Sequence, residues 1–150
     1  MKWSIACFSD IRHMKKNQLP LSTVVYPPKF FSKTSRKPDA HFDKNDVLLG
    51  LTLQWLVPRS QEDCPCESKR PDACSFMKKY EEQLSEIDFK EFKKNVENVI
   101  HNINIEIKHD IDEAVLIVYE KASNPCSERH ALKRWFHANG IELEDFEVKK

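Results

Sequence analysis

The densest group of side chains able to do chemistry lies late in the chain, where Tyr119 and Glu120 close an apolar run and Cys126, Arg129 and His130 come after them. Ser123-Asn124-Pro125 reads as a helix cap with proline at the first helical position, which puts Cys126 in the opening helical turn. There the helix dipole, with Arg129 and His130 three and four residues further on, favours a thiolate, and a sulfur with a lowered pKa is nucleophilic at neutral pH. Cys126 and Arg129 are therefore the catalytic candidates. Helix-end N–H groups and a guanidinium also make a pocket for phosphate or carboxylate, with Tyr119, Glu120 and His130 lining it and the thiol a bystander. A structural account is open as well, in which Cys126 is a small buried hydrophobe and Arg129 pairs with Glu120.

Two further groups carry chemistry. Asp10, Arg12 and His13 come after the first apolar run, and a carboxylate, guanidinium and imidazole so close suit acid–base work or phosphate binding. A capping Asp10 with a surface His13 accounts for them equally. Cys64-Pro-Cys66 and Cys74 stand in an acidic stretch, and their thiolates could hold a structural zinc with a fourth ligand from Cys126, a histidine or an acid. Cys-x-Cys cannot form the usual zinc knuckle, so a solvated insertion loop over residues 58–75 is the alternative.

These residues need a frame. Trp3 to Phe8 and Leu21 to Tyr26 read as strands, the second stopped by Pro27-Pro28. The apolar segment Val47 to Val57 belongs to the core, but its pattern does not separate strand from helix. Cys74 to Leu84 reads as a helix, and so does Phe89 to Ile103, with Phe89, Phe92, Val96, Val99, Ile100 and Ile103 on one stripe. Ala114 to Tyr119 is continuously apolar, as a central parallel strand covered on both faces requires. Leu132, Trp135 and Phe136 give the next helix its apolar face, Gly140 ends it, and Ile141, Leu143, Phe146 and Val148 point to a closing strand. The expectation is an α/β fold: one domain over residues 1–150, with a mainly parallel sheet flanked by helices.

Composition narrows the function classes. The 150 residues carry 24 basic and 24 acidic side chains, so no global field draws the chain to nucleic acid or anionic lipid. Lys29 to Lys37 combines cations with aromatics, Phe30 and Phe31 beside Arg36, in a form suited to single-stranded nucleic acid; a solvated loop is the simpler account. The two glycines, Gly50 and Gly140, exclude Gly-rich phosphate loops. No apolar run is long enough to span a bilayer, Met1 to Asp10 lacks the pattern of a secretory signal, and five cysteines are an odd number, so a cytoplasmic protein with reduced thiols is expected.

The run Val115-Leu-Ile-Val-Tyr-Glu-Lys, then Cys126, Arg129-His130, Trp135-Phe136 and Gly140-Ile141 resembles the C-terminal signature of domain-of-unknown-function family number 488. The N-terminal strand, Leu19-Pro20-Leu21-Ser22 and Pro27-Pro28-Lys29-Phe30 are similar too, whereas Thr34 to Lys108 matches in layout alone. The family's Cys-His-Arg is contiguous; here Ser127 and Glu128 separate Cys126 from Arg129. The resemblance implies a fold and a pocket position and leaves the reaction open.

Two functions are thus expected from different classes. One is the binding or processing of a small anionic or nucleotide-like ligand at the junction around Cys126, with Asp10 and Arg12 contributing. The other is a non-catalytic module that binds nucleic acid or a protein partner through loop 29–37.

Overall fold

The computed structural model describes residues 1–15, 17–24, 50–59, 75–107, 110–118 and 128–146; the side chains of Arg12, Ser75, Phe76 and Ile107 fall outside that description. Among the described residues, five strands, β1 (Lys2–Cys7), β2 (Gln18–Ser22), β3 (Leu51–Thr52), β4 (Glu113–Val118) and β5 (Glu144–Asp145), form one sheet in the order β3-β2-β4-β1-β5. Every pairing is parallel. The expected α/β architecture is what the chain adopts, and the apolar run before Tyr119 is the middle strand.

β4 is buried at all six positions, so its side chains of both parities face protein. One face carries Trp3, Ile5, Leu19, Leu21, Ala114, Leu116 and Val118, and against it pack the three helices α1 (Ser75–Ser85), α2 (Phe89–Ile107) and α3 (Glu128–Ala138). The other face carries Ala6, Val115 and Ile117. Among the described residues it is covered by Phe8 and Ile11 from the 3-10 segment Phe8–His13 and by Met14 at its end, together with Val24 and the half-buried Phe146. Alternation of side chains along parallel strands produces this division. Its consequence, among the described residues, is a sheet with three helices on one side and the 3-10 segment, Met14, Val24 and Phe146 on the other.

Local chemistry sets the element ends. Asp88 starts α2, its Oδ1 accepting from the N–H groups of Lys90 and Glu91 at 3.0 and 3.3 Å. Gly140, with φ 85°, ends α3: Ile141 N–H reaches back to the Phe136 carbonyl and Gly140 N–H to that of His137, both at 3.0 Å. Asn104 fastens the end of α2 to the approach to β4 through a reciprocal pair of bonds with Ile111.

Two details depart from the sequence expectations, and one segment left open takes a defined form. β2 begins at Gln18 and so includes Pro20, instead of running from Leu21 to Tyr26; residues 25 and 26 lie outside the described residues. Pairing with β3 begins only at Leu21, so the donor that proline lacks is not required at that position. Val47 to Val57 divides, where described, into the two-residue strand β3 and a 3-10 turn at Gln54–Leu56. Val99, placed on the apolar stripe of α2, is 40% exposed, because it lies at the margin of the stripe beyond the reach of the sheet.

Candidate functional site

At the carboxyl ends of the strands, several described polar groups bond to one another. Asp10 closes the turn after β1 by accepting from the Cys7 N–H at 3.0 Å and from its thiol at 3.2 Å. Thr23, fully buried just past β2, donates from its hydroxyl to the Ile117 carbonyl at 3.1 Å and to Glu128 Oε2 at 3.2 Å. Glu128 thereby sits in the first turn of α3, where the dipole favours a carboxylate. The next residue, Arg129, is 4% exposed and donates from Nη1 to Asp145 Oδ1 at 2.6 Å and to the Ile5 carbonyl at 3.4 Å. Lys133 holds the other oxygen of Asp145 at 2.7 Å. Partial burial works to raise the Asp145 pKa, but the hydrogen bonds and charges of Lys133 and Arg129 outweigh it and hold the carboxyl below its ordinary range.

A different arrangement occupies the amino ends of the strands, on the face that carries Ala6, Val115 and Ile117. Register aligns Gln18 of β2 with Glu113 of β4 and Glu113 with Lys2 of β1, while Ser4 of β1 aligns with Glu144 of β5. All five share one parity and so one face. They line a cavity of about 780 Å³, together with His13 and Lys15 from the β1–β2 connection and residues 142–146 around β5. Glu113 is only 5% exposed. Its Oε2 accepts from Ser4 Oγ at 2.9 Å and from Gln18 Nε2 at 3.1 Å, while Lys2 Nζ stands 3.7 Å from Oε1. Gln18 is fixed in turn, because its Oε1 accepts from the Lys15 N–H at 2.8 Å.

Buried charge is costly unless paired and hydrogen-bonded, and Glu113 has that support on one oxygen only. The other oxygen has the ammonium of Lys2, a side chain 62% exposed, beyond hydrogen-bonding distance. Chemically this is an acceptor presented from a rigid platform, able to take an N–H or O–H from a polar ligand.

The structure brings some of the expected site residues together and separates others. Arg129 stands at the carboxyl edge bound to Asp145, Asp10 serves as the cap of the turn after β1, and His130 lies half-buried in α3. Tyr119, Glu120, Cys126, the zinc candidates Cys64, Cys66 and Cys74, and loop 29–37 lie outside the described residues, as does the Arg12 side chain. Among the described residues, no group of three or more His, Cys, Asp or Glu is placed to hold a metal, and no helix is long and apolar enough to cross a membrane. Sequence reasoning missed Glu113, Ser4 and Gln18. The local signal was an acid opening a buried strand and a serine alternating with apolar residues in β1, but nothing local aligns these across three strands.

Comparison with protein-family models, with curated proteins and with solved structures gives no match.

Proposed function

We propose that this domain binds a small polar molecule in the cavity over Glu113. The observation that carries the reading is a nearly buried carboxylate lining a cavity, with one oxygen saturated by Ser4 and Gln18 and the other given no hydrogen bond by the described residues. A volume of about 780 Å³ falls within the range of metabolite sites, about 300–1,000 Å³. Most such sites are lined by apolar side chains; here Lys2, Ser4, Gln18, Glu113 and Glu144 dominate, which selects for a ligand rich in hydrogen-bonding groups.

The anionic-ligand reading at the carboxyl edge has less support from the described residues. Arg129, its main cation, is already matched by Asp145, and the adjacent Glu128 and Asp10 would repel an anion. Binding over Glu113 departs from the usual position beyond the carboxyl ends of strands in open α/β sheets, and the cavity lined by Lys2, Ser4, Gln18 and Glu113 is what supports it there.

The test is a screen of polar metabolites against the full chain by thermal shift and by amide chemical-shift mapping. Shifts clustered at Ser4, Gln18 and Glu113, reduced at least tenfold in affinity by Glu113→Gln, are the expected outcome. Shifts confined to Cys7–His13 and Glu128–Lys133 would move the site to the carboxyl edge and overturn the proposal.

A further inference from the structure

We infer that the ligand of the Glu113 cavity is a small zwitterion, an aminocarboxylate with its ammonium towards Glu113 and Glu144 and its carboxylate towards Lys15. This deepens the proposed function and rests on it. Several charges of the cavity are already used. Lys133 is paired with Asp145 at 2.7 Å, Glu142 is paired with His137, and Lys2 lies near Glu113. Two lining groups have no ion-pair or hydrogen-bond partner among the described residues, the Lys15 ammonium and the Glu144 carboxylate.

These two stand at opposite ends of the cavity. Lys15 is joined through its backbone N–H to Gln18 on β2, whereas Glu144 lies on β5, and the sheet order puts β4 and β1 between them. At about 4.8 Å per strand, three intervals separate the two ends by about 14 Å. Glu113 and Ser4 occupy the middle. The cavity therefore runs from a cationic end to an anionic one across a hydrogen-bonding floor.

A purely anionic ligand would meet the buried Glu113 and the unpaired Glu144, and a purely cationic one would meet Lys2 and Lys15. A zwitterion satisfies both signs at once, its carboxylate at the Lys15 end and its ammonium at Glu113 in the middle, on the side nearer Glu144. Its ammonium can take the position beside Glu113 Oε1, because Lys2 is 62% exposed and holds that place from 3.7 Å without a hydrogen bond. Ser4 and Gln18 keep the carboxylate oriented while this exchange occurs.

Calorimetric titration of the full chain tests the inference with free amino acids and dipeptides, their N-acetylated forms, their C-amidated forms, and neutral polyols of matching size. The expected result is binding of a zwitterionic member, weakened about tenfold or more by capping either end and by Lys15→Glu, Glu144→Lys or Glu113→Gln. The two rim substitutions are at exposed positions and keep the test valid if Glu113→Gln fails to fold. Capped or neutral compounds that bind as well as the free zwitterion, with the dependence on Glu113 retained, would overturn the ligand class and leave the cavity reading standing. Absence of binding by the whole panel, or binding indifferent to all three substitutions, would overturn both.

Discussion

Arg129, in the first turn of α3, and Asp145, the last residue of β5, are joined at 2.6 Å, and the same guanidinium reaches the Ile5 carbonyl of β1. This contact ties the last helix to the edge of the sheet. Asp145→Asn removes the counterion of a cation that is 4% exposed and is expected to destabilise the domain by about 2 kcal/mol, read from urea unfolding. Because the Asp145 pKa is lowered, its contribution is present above the ordinary aspartate value, about 3.9, and is lost as pH falls through the folded-state value. Once the pH is below that folded-state value, the wild-type and Asp145→Asn curves should therefore converge.

Gly50 stands where no side chain fits. A Cβ there would lie 1.4 Å from the Pro20 carbonyl oxygen, so the chain entering β3 can pass β2 only as glycine. Gly50→Ala is expected to displace β3 and to cost about 3 kcal/mol or more, measured by chemical denaturation. Gly140 has open space around its Cβ position but a positive φ, so Gly140→Ala should act through backbone strain alone and cost about 1 kcal/mol.

Tyr80 is fully buried in α1 and donates to the Leu56 carbonyl at 2.6 Å, anchoring the Gln54–Leu56 turn. Burial, and then the negative charge of Glu128, push its phenol well above the ordinary value. The folded state thus keeps this proton where the unfolded chain loses it, so stability falls as pH rises past about 10. Tyr80→Phe should cost about 1 kcal/mol at neutral pH and flatten that alkaline decline, which stability curves between about pH 8 and 11 would show.

Phe136 marks the centre of the aromatic packing between α3, α2 and β1, with ring centres 5.2 Å from Trp3 and 5.0 Å from Phe89. Phe136→Ala is expected to cost about 3–5 kcal/mol, since the cavity is bounded by rigid rings that cannot collapse into it. Ile105, 64% exposed near the end of α2, is the control: Ile105→Ser should stay within about 0.5 kcal/mol in the same assay.

The features legible in the residues, taken in order, were those that depend on neighbours in the chain. The apolar run Ala114 to Val118 identified the middle strand because burial on both faces demands such a run, and the spacing of Phe89, Phe92, Val96, Ile100 and Ile103 identified α2 because a helix returns to the same side every turn. Gly140 announced its helix end through the conformation glycine tolerates. The start of β2 misled, since Pro20 lies inside a strand read as beginning at Leu21, and whether a strand can accept a proline depends on how far its neighbour extends alongside it. Val99 misled too, since periodicity says which side of a helix is apolar and not where the sheet stops.

The candidate site belonged to the tertiary structure. Gln18, Glu113, Lys2, Ser4 and Glu144 come from four strands near opposite ends of the chain, and only parallel register at a fixed strand spacing sets them side by side on one face. Arg129 was visible as a cation, but its partner was decided by the edge on which β5 docks. Residue order alone determined which side chains alternate and which segments must be buried, because those obey local backbone geometry. The polar groups that share a cavity were settled by strand order, which no local pattern encodes.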